Sequence, residues 1–144
     1  MPDAFLDTNV LVYLLSADTR KADIAEALVA AGGIVSVQVL NEAVAVARRK
    51  LVLPWAEIQA WLAAVRACCR VAPLTEVGHD LALDLAARHG LAWYDALIVA
   101  SALHSGASTL LTEDLQHGFT WRGVTLVNPF AVPDHPLLQR LATD

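Results

Sequence analysis

The chain has 144 residues, a length that suits one domain with a full hydrophobic core. Its net charge of −5 argues against extensive contact with a nucleic-acid backbone. Hydrophobic residues make up 56% of it and the mean hydropathy is +0.48, yet no apolar run approaches the roughly 18 residues a membrane helix needs.

Ala4-Phe5-Leu6 is short and apolar, as expected of a strand buried on both faces, and the first strand is placed over 4–7. Asp7-Thr8-Asn9 interrupts the run, and Val10 to Leu15 resumes it within a helix over 9–16. A second helix, about 20–31, carries Ile24, Leu28 and Ala31 on one face and ends at Gly32-Gly33, because glycine takes the left-handed conformation without strain. Ile34-Val35 reads as a second strand and Ser36 as the N-cap of a helix reaching about Leu51. Pro54 suits the first turn of a helix over 54–69, with Ile58, Leu62 and Val65 on one stripe. Val71-Ala72 is a third strand stopped by Pro73, and Thr75 caps a helix that runs through His89 to Gly90. Asp95 opens a helix whose body, Ala96 to Leu103, is apolar nearly all round and is therefore expected to be buried on most sides. Thr109-Leu110-Leu111 and Val124 to Val127 supply strands four and five, and residues 131–144 form a tail that is loose or lies on a partner. Strands alternating with helices over short connections predict one α/β domain over 1–144, with a parallel sheet of about five strands covered on both faces.

Four carboxylates stand in unusual places. Asp7 and Asp114 follow the C-terminal ends of strands, Asp95 opens the buried helix, and Glu42 lies in the early turns of a helix that follows a strand. Each has an ordinary explanation: a cap for Asp7 and Asp95, a turn for Asp114, an ion pair for Glu42. For Glu42 the ordinary one is weak, because no Lys or Arg stands three or four residues away and three of those four neighbours, Val39, Ala45 and Val46, are apolar. In an open parallel sheet all four positions converge on one edge. Such a cluster repels itself unless a divalent cation sits within it, and oxygen donors suit Mg²⁺ or Mn²⁺. The five histidines include no pair at helical spacing, and adjacent Cys68-Cys69 is neither a zinc spacing nor a disulfide framework. Metal-assisted phosphodiester hydrolysis is the chemistry such a cluster suits, with Thr8, Asn9 and Thr112 orienting water or the outer ligands. Local basic patches lie at Arg48-Arg49-Lys50 and, more diffusely, at Arg66 and Arg70, where helix-end cations also complement the dipole.

The run Phe5-Leu6-Asp7-Thr8-Asn9-Val10-Leu11-Val12 resembles the opening of PIN-domain ribonucleases, in particular the VapC-type toxins of toxin–antitoxin pairs. Ser36 to Glu42, Trp93 to Ala100 and Leu111 to Gly118 resemble their second, third and fourth motifs, in the family's order, and Val124 to Phe130 resembles the last strand and its exit. The resemblance implies a Mg²⁺-dependent endoribonuclease, with Mn²⁺ as a substitute. Asp7, Glu42, Asp95 and Asp114 would form its acidic site, Asp7 and Asp95 as direct ligands, Glu42 and Asp114 partly through water. It also implies an RNA substrate, a homodimer, and a VapB-like antitoxin that covers the cleft and provides any contact with DNA. A protein interface is where the apolar surplus is expected. Met1-Pro2-Asp3 lacks the basic start of a secretory leader, so a cytoplasmic protein without membrane contact is expected.

Two other readings compete. One is an interaction module that keeps the fold and cleaves nothing; the intact carboxylates argue against it. The other is an acidic-pocket phosphatase or receiver domain. A haloacid-dehalogenase type wants a second Asp two residues after Asp7, where Asn9 stands, and a receiver wants an Asp at the end of the third strand, which here is Ala72-Pro73.

Overall fold

The architecture follows from where the apolar residues stop. In the computed structural model, which describes residues 4–115, 117–136 and 138, Ala4–Leu6 (β1) is almost wholly buried and lies at the middle of a six-stranded sheet. Thr8–Tyr13 (α1) and Thr19–Ala30 (α2) lead to Gly33–Ser36 (β2). Val37–Arg49 (α3) and Trp55–Cys68 (α4) lead to Cys69–Ala72 (β3). Glu76–His89 (α5) and Trp93–His104 (α6) return the chain to Thr109–Leu111 (β4), which is followed by Thr120–Trp121 (β5) and Val124–Val127 (β6). The strand order is β3-β2-β1-β4-β6-β5, parallel throughout except for β5, which pairs antiparallel with β6.

This order reverses direction between β1 and β4. From β1 the chain winds outward to β2 and β3, then recrosses to β4 and continues to β6 on the other side. Right-handed crossovers running in opposite directions place helices on opposite faces. Accordingly α1 to α4 pack among themselves and α5 packs on α6. The loops leaving β1 and β4 are thus neighbours at the point of reversal, where open α/β sheets form their binding crevice. Backbone bonds fasten this edge: the Asp7 N–H donates to Leu111 O at 3.0 Å and the Thr112 N–H to Val127 O at 3.0 Å.

The five parallel strands and the helices between them agree with the sequence reading. So do the Ser36 cap, accepting from the Val39 N–H at 3.1 Å, the Thr75 cap, accepting from the Gly78 N–H at 3.0 Å, and left-handed Gly90 at φ 67°. Four details differ. The sixth strand, β5, was not expected; it is two residues long and returns through Arg122 and Gly123, both at positive φ (49° and 90°), the backbone pair a tight hairpin needs. Helix α1 ends at Tyr13 rather than residue 16, and Leu14, Leu15 and Ser16 continue in tighter i→i−3 turns. Pro54 precedes α4 as its cap instead of lying inside its first turn. Helix α6 begins at Trp93, not Asp95.

The tail, expected to be loose or to lie on a partner, is held to the domain over its described part. Asn128 Oδ1 accepts from the Phe130 and Ala131 N–H groups at 3.0 and 3.1 Å, Phe130 is buried edge-on to Tyr13, and Leu138 packs on the core. The rest of that expectation, residues 137 and 139–144, and Gln116 of the fourth motif lie outside the described residues. Among the described residues no helix is long and apolar enough to cross a membrane.

Candidate active site

Asp7 leaves β1 in extended conformation (φ −75°, ψ 166°) and caps α1, so its carboxylate is fixed by the chain on both sides. One oxygen accepts from the Thr8 N–H at 2.7 Å and the other from Thr112 Oγ1 at 2.8 Å. The residue is only 7% exposed. Burial pushes its carboxyl up to about 6; the Glu42 and Asp114 charges push the same way, against the two hydrogen bonds. The cap is real, and it presents a desolvated carboxylate at the sheet reversal.

Glu42 is half-buried one turn into α3. It accepts from Thr8 Oγ1 at 2.7 Å and, across one helical turn, from Gln38 Nε2 at 3.1 Å. Asp95 is the third residue of α6, which has no side-chain cap, so the expected capping role is absent. Burial first, then Asp114 and Glu42, raise its carboxyl above the ordinary range. Asp114 is exposed in the loop after β4 and accepts from Asn9 Nδ2 at 3.2 Å. Asp7 and Asp95 are thus each close enough to feel the charges of both Glu42 and Asp114. The ion pairs among the described residues, Lys21–Glu113, Arg88–Asp84 and Arg122–Asp84, involve none of them.

The three supporting residues expected from the sequence act as ties between the acids. Thr8 joins Asp7 to Glu42, and Thr112 joins Asp7 to the loop, accepting from the Asp114 N–H at 3.2 Å. Asn9 donates to Thr112 Oγ1 at 3.3 Å and to Asp114, and accepts from the Glu113 N–H at 3.2 Å. Two groups escaped the sequence reading. Gln38 has a signal that could have found it, a polar residue one turn before Glu42. The Lys21–Glu113–Tyr13 cluster has none, because its partners are far apart in sequence: Lys21 Nζ donates to Glu113 at 2.9 Å and to Tyr13 Oη at 3.1 Å, and Tyr13 donates to Glu113. It fixes the residue beside Asp114 to α1 and α2.

The donor set fits a hard cation. It is all oxygen and strongly negative, and none of its acids is ion-paired among the described residues. Among the described residues, no three Asp, Glu, His or Cys side chains stand close enough to hold an ion as a ready-made cage.

A family model of the PIN domain matches residues 4–118. No curated protein matches the sequence. Among solved structures, the chain is similar to a toxin–antitoxin complex from Klebsiella pneumoniae, with a TM-score of 0.67 and 21% identity over 88% of this chain and 97% of that one. It is also similar to VapC20 of Mycobacterium tuberculosis, a toxin that cleaves the sarcin–ricin loop, with a TM-score of 0.59 and 21% identity over 77% and 89%. A third likeness is to PAE2754 of Pyrobaculum aerophilum, with a TM-score of 0.61 and 21% identity over 99% and 97%. At this identity the likeness is one of fold.

Proposed function

The chain belongs to the PIN domain family, and from that premise we propose that it is a Mg²⁺-dependent endoribonuclease, the toxin of a toxin–antitoxin pair. The observation that carries this reading is the set of four carboxylates gathered where the sheet reverses, none ion-paired among the described residues, in which the Glu42 and Asp114 charges push up both Asp7 and Asp95. With no ion pair to any of the four among the described residues, their charge is available for a cationic ligand to offset.

Asp7 and Asp95 would hold the ion directly, and Glu42 and Asp114 would hold it partly through water. When bound, Mg²⁺ or Mn²⁺ offsets the charge that develops on a phosphodiester and promotes ionisation of the attacking water. The chain's own residues do the positioning. Thr8 and Thr112 fix the Asp7 and Glu42 oxygens by donating to them, so these acids cannot turn away when the site is empty. Asn9 holds the exposed Asp114 over the same edge. Glu42 also accepts from Gln38 through its other oxygen, which fixes the orientation of the carboxylate.

The remaining assignments belong to the same proposal: RNA as substrate, Mn²⁺ as an alternative metal, a VapB-like antitoxin, a homodimer and a cytoplasmic setting. Protein purified free of any partner is expected to cleave RNA with Mg²⁺ or Mn²⁺ and to stop when EDTA is added. Undiminished cleavage in chelator, from a preparation in which the Asp7→Asn protein is inert, would overturn the metal requirement. Cleavage by neither preparation under any metal would favour a non-cleaving interaction module.

A further inference from the structure

The acidic site does not stand alone on its face. A hollow of about 260 Å³ is lined by Thr8 and Glu42 together with Arg49 and Lys50. A second, about 250 Å³, is lined by Lys50 together with Asn9, Glu113 and Asp114. A third, about 490 Å³, runs from Glu42 and Arg49 to Leu74 and Tyr94. Shared residues join them: Thr8 and Lys50 belong to the first and second, Glu42 and Arg49 to the first and third. Together they make one surface track past Glu42 and Asp114, lined also by Arg49, Lys50 and Tyr94.

The cations on this track are free. Arg48 is engaged, donating to Leu53 O at 2.8 Å and lying over the Trp55 ring at 4.5 Å. The exposed side chains of Arg49 and Lys50 have no hydrogen-bond or ion-pair partner among the described residues. A helix C-terminus favours cations, but that preference is satisfied by any outward direction. Here both lie in the same hollows as Glu42, against the chain's net charge of −5. Tyr94 is 67% exposed and adjoins Asp95, an unusual place for a large ring with no core to fill.

We infer that Arg49, Lys50 and Tyr94 form the track for a single-stranded RNA, Arg49 and Lys50 holding phosphates that flank the cleavage point and Tyr94 stacking an unpaired base. This rests on the ribonuclease reading and names how that site takes its substrate. The acidic cluster repels RNA by itself, so local cations are what allow an acidic protein to hold a polyanion across it. A base can stack on an exposed ring only if it is unpaired, which selects single strands or loops over duplex.

The test uses the full chain and a short, unstructured, fluorescently labelled RNA of mixed sequence. Binding is read by anisotropy against salt in an Asp95→Asn background, and KM and kcat are read in the otherwise unaltered protein. Arg49→Gln with Lys50→Gln is expected to weaken binding about tenfold and to flatten the log–log salt slope by about 1.4, at about 0.7 per phosphate lost from a single strand. Tyr94→Ala is expected to weaken binding about tenfold without changing the slope, and Tyr94→Phe to restore it. KM should rise more than kcat falls in each. Arg66→Gln, the loss of one positive charge at a residue that lines none of these hollows, should change nothing. If the wild type cleaves RNA but all these variants bind and cleave like it, the track is wrong and the ribonuclease reading stands. If the variants keep RNA binding and lose only association with a protein partner, the face is a protein interface and the inference is overturned. If the wild type neither binds nor cleaves RNA, the ribonuclease reading fails first and takes the track with it.

Discussion

Asp95→Asn is expected to lower RNA cleavage at least about a hundredfold while leaving the fold intact. Asparagine keeps the shape of the side chain at the third position of α6 and loses its charge. The structural cost is small, because α6 has no side-chain cap for Asp95 to supply. A negative group in the first turn of a helix is worth about 0.3–1 kcal/mol. That loss is opposed by relief of burial and of repulsion from Asp114 and Glu42, which together raise the Asp95 carboxyl. Thermal stability should thus move little in either direction. Cleavage should collapse, because Asn is a poor ligand for a hard dication. The Asp7→Asn, Asp95→Asn double variant should be scarcely worse than either single one, as expected of groups that act as a unit. Near wild-type cleavage by Asp95→Asn would remove Asp95 from the site.

Asp7 is expected to dominate the pH dependence of the metal-free protein. Its carboxyl sits at about 6 in the folded state against 3.8 for an ordinary aspartate. A carboxyl raised on folding binds its proton more tightly in the native state, so its contribution is fully favourable below about pH 4. It is lost as pH rises toward about 6, and above that the buried charge costs about 3 kcal/mol relative to the protonated form. Asp7→Asn removes this dependence. Part of the gain is offset, because Thr112 Oγ1 now donates to a carboxylate and already accepts from Asn9 and the Asp114 N–H. The variant should still be more stable than the wild type by about 1 kcal/mol at neutral pH without metal, and the difference should vanish or reverse near pH 4. Thermal unfolding of both proteins in EDTA across this range measures it. An Asp7→Asn protein with the wild type's pH profile would show that the Asp7 charge is not the buried, repelled one described here. Mg²⁺ should raise the wild-type Tm, because it binds only the folded form, and should leave the variant unmoved.

The parts of the fold that could be read ahead were those where several local signals agreed. β1, β2 and β4 are short apolar runs followed by polar residues, and Ser36 and Thr75 start helices where capping chemistry says they should. The four acids could be picked out because each interrupts a pattern: Asp7 ends a buried strand, and Glu42 stands among apolar neighbours with no cation in reach along its helix. What could not be read depends on contacts between distant segments. β5 is two residues long, and its turn uses Arg122 at positive φ, where sequence patterns favour Asn or Asp. The start of α6 was misplaced because Asp95 has the identity of a cap while Trp93 and Tyr94 carry no boundary signal. Asn9 bonding to the loop of Asp114, and Lys21 reaching Glu113, follow only from the neighbouring positions of β1 and β4, which no local pattern reveals. That Arg49 and Lys50 line a hollow with Glu42 is likewise a product of the fold, since the same residues in sequence suit a solvated helix end.

Direct binding of Mn²⁺ to the partner-free protein tests the central claim without depending on the choice of RNA. Titration followed by the free-ion electron paramagnetic resonance signal should show saturable binding by the wild type that Mg²⁺ displaces, and its loss in both Asp7→Asn and Asp95→Asn proteins that remain folded. Equal binding by the wild type and both variants, or no saturable binding by the wild type, would contradict the claim that these carboxylates form a divalent-cation site.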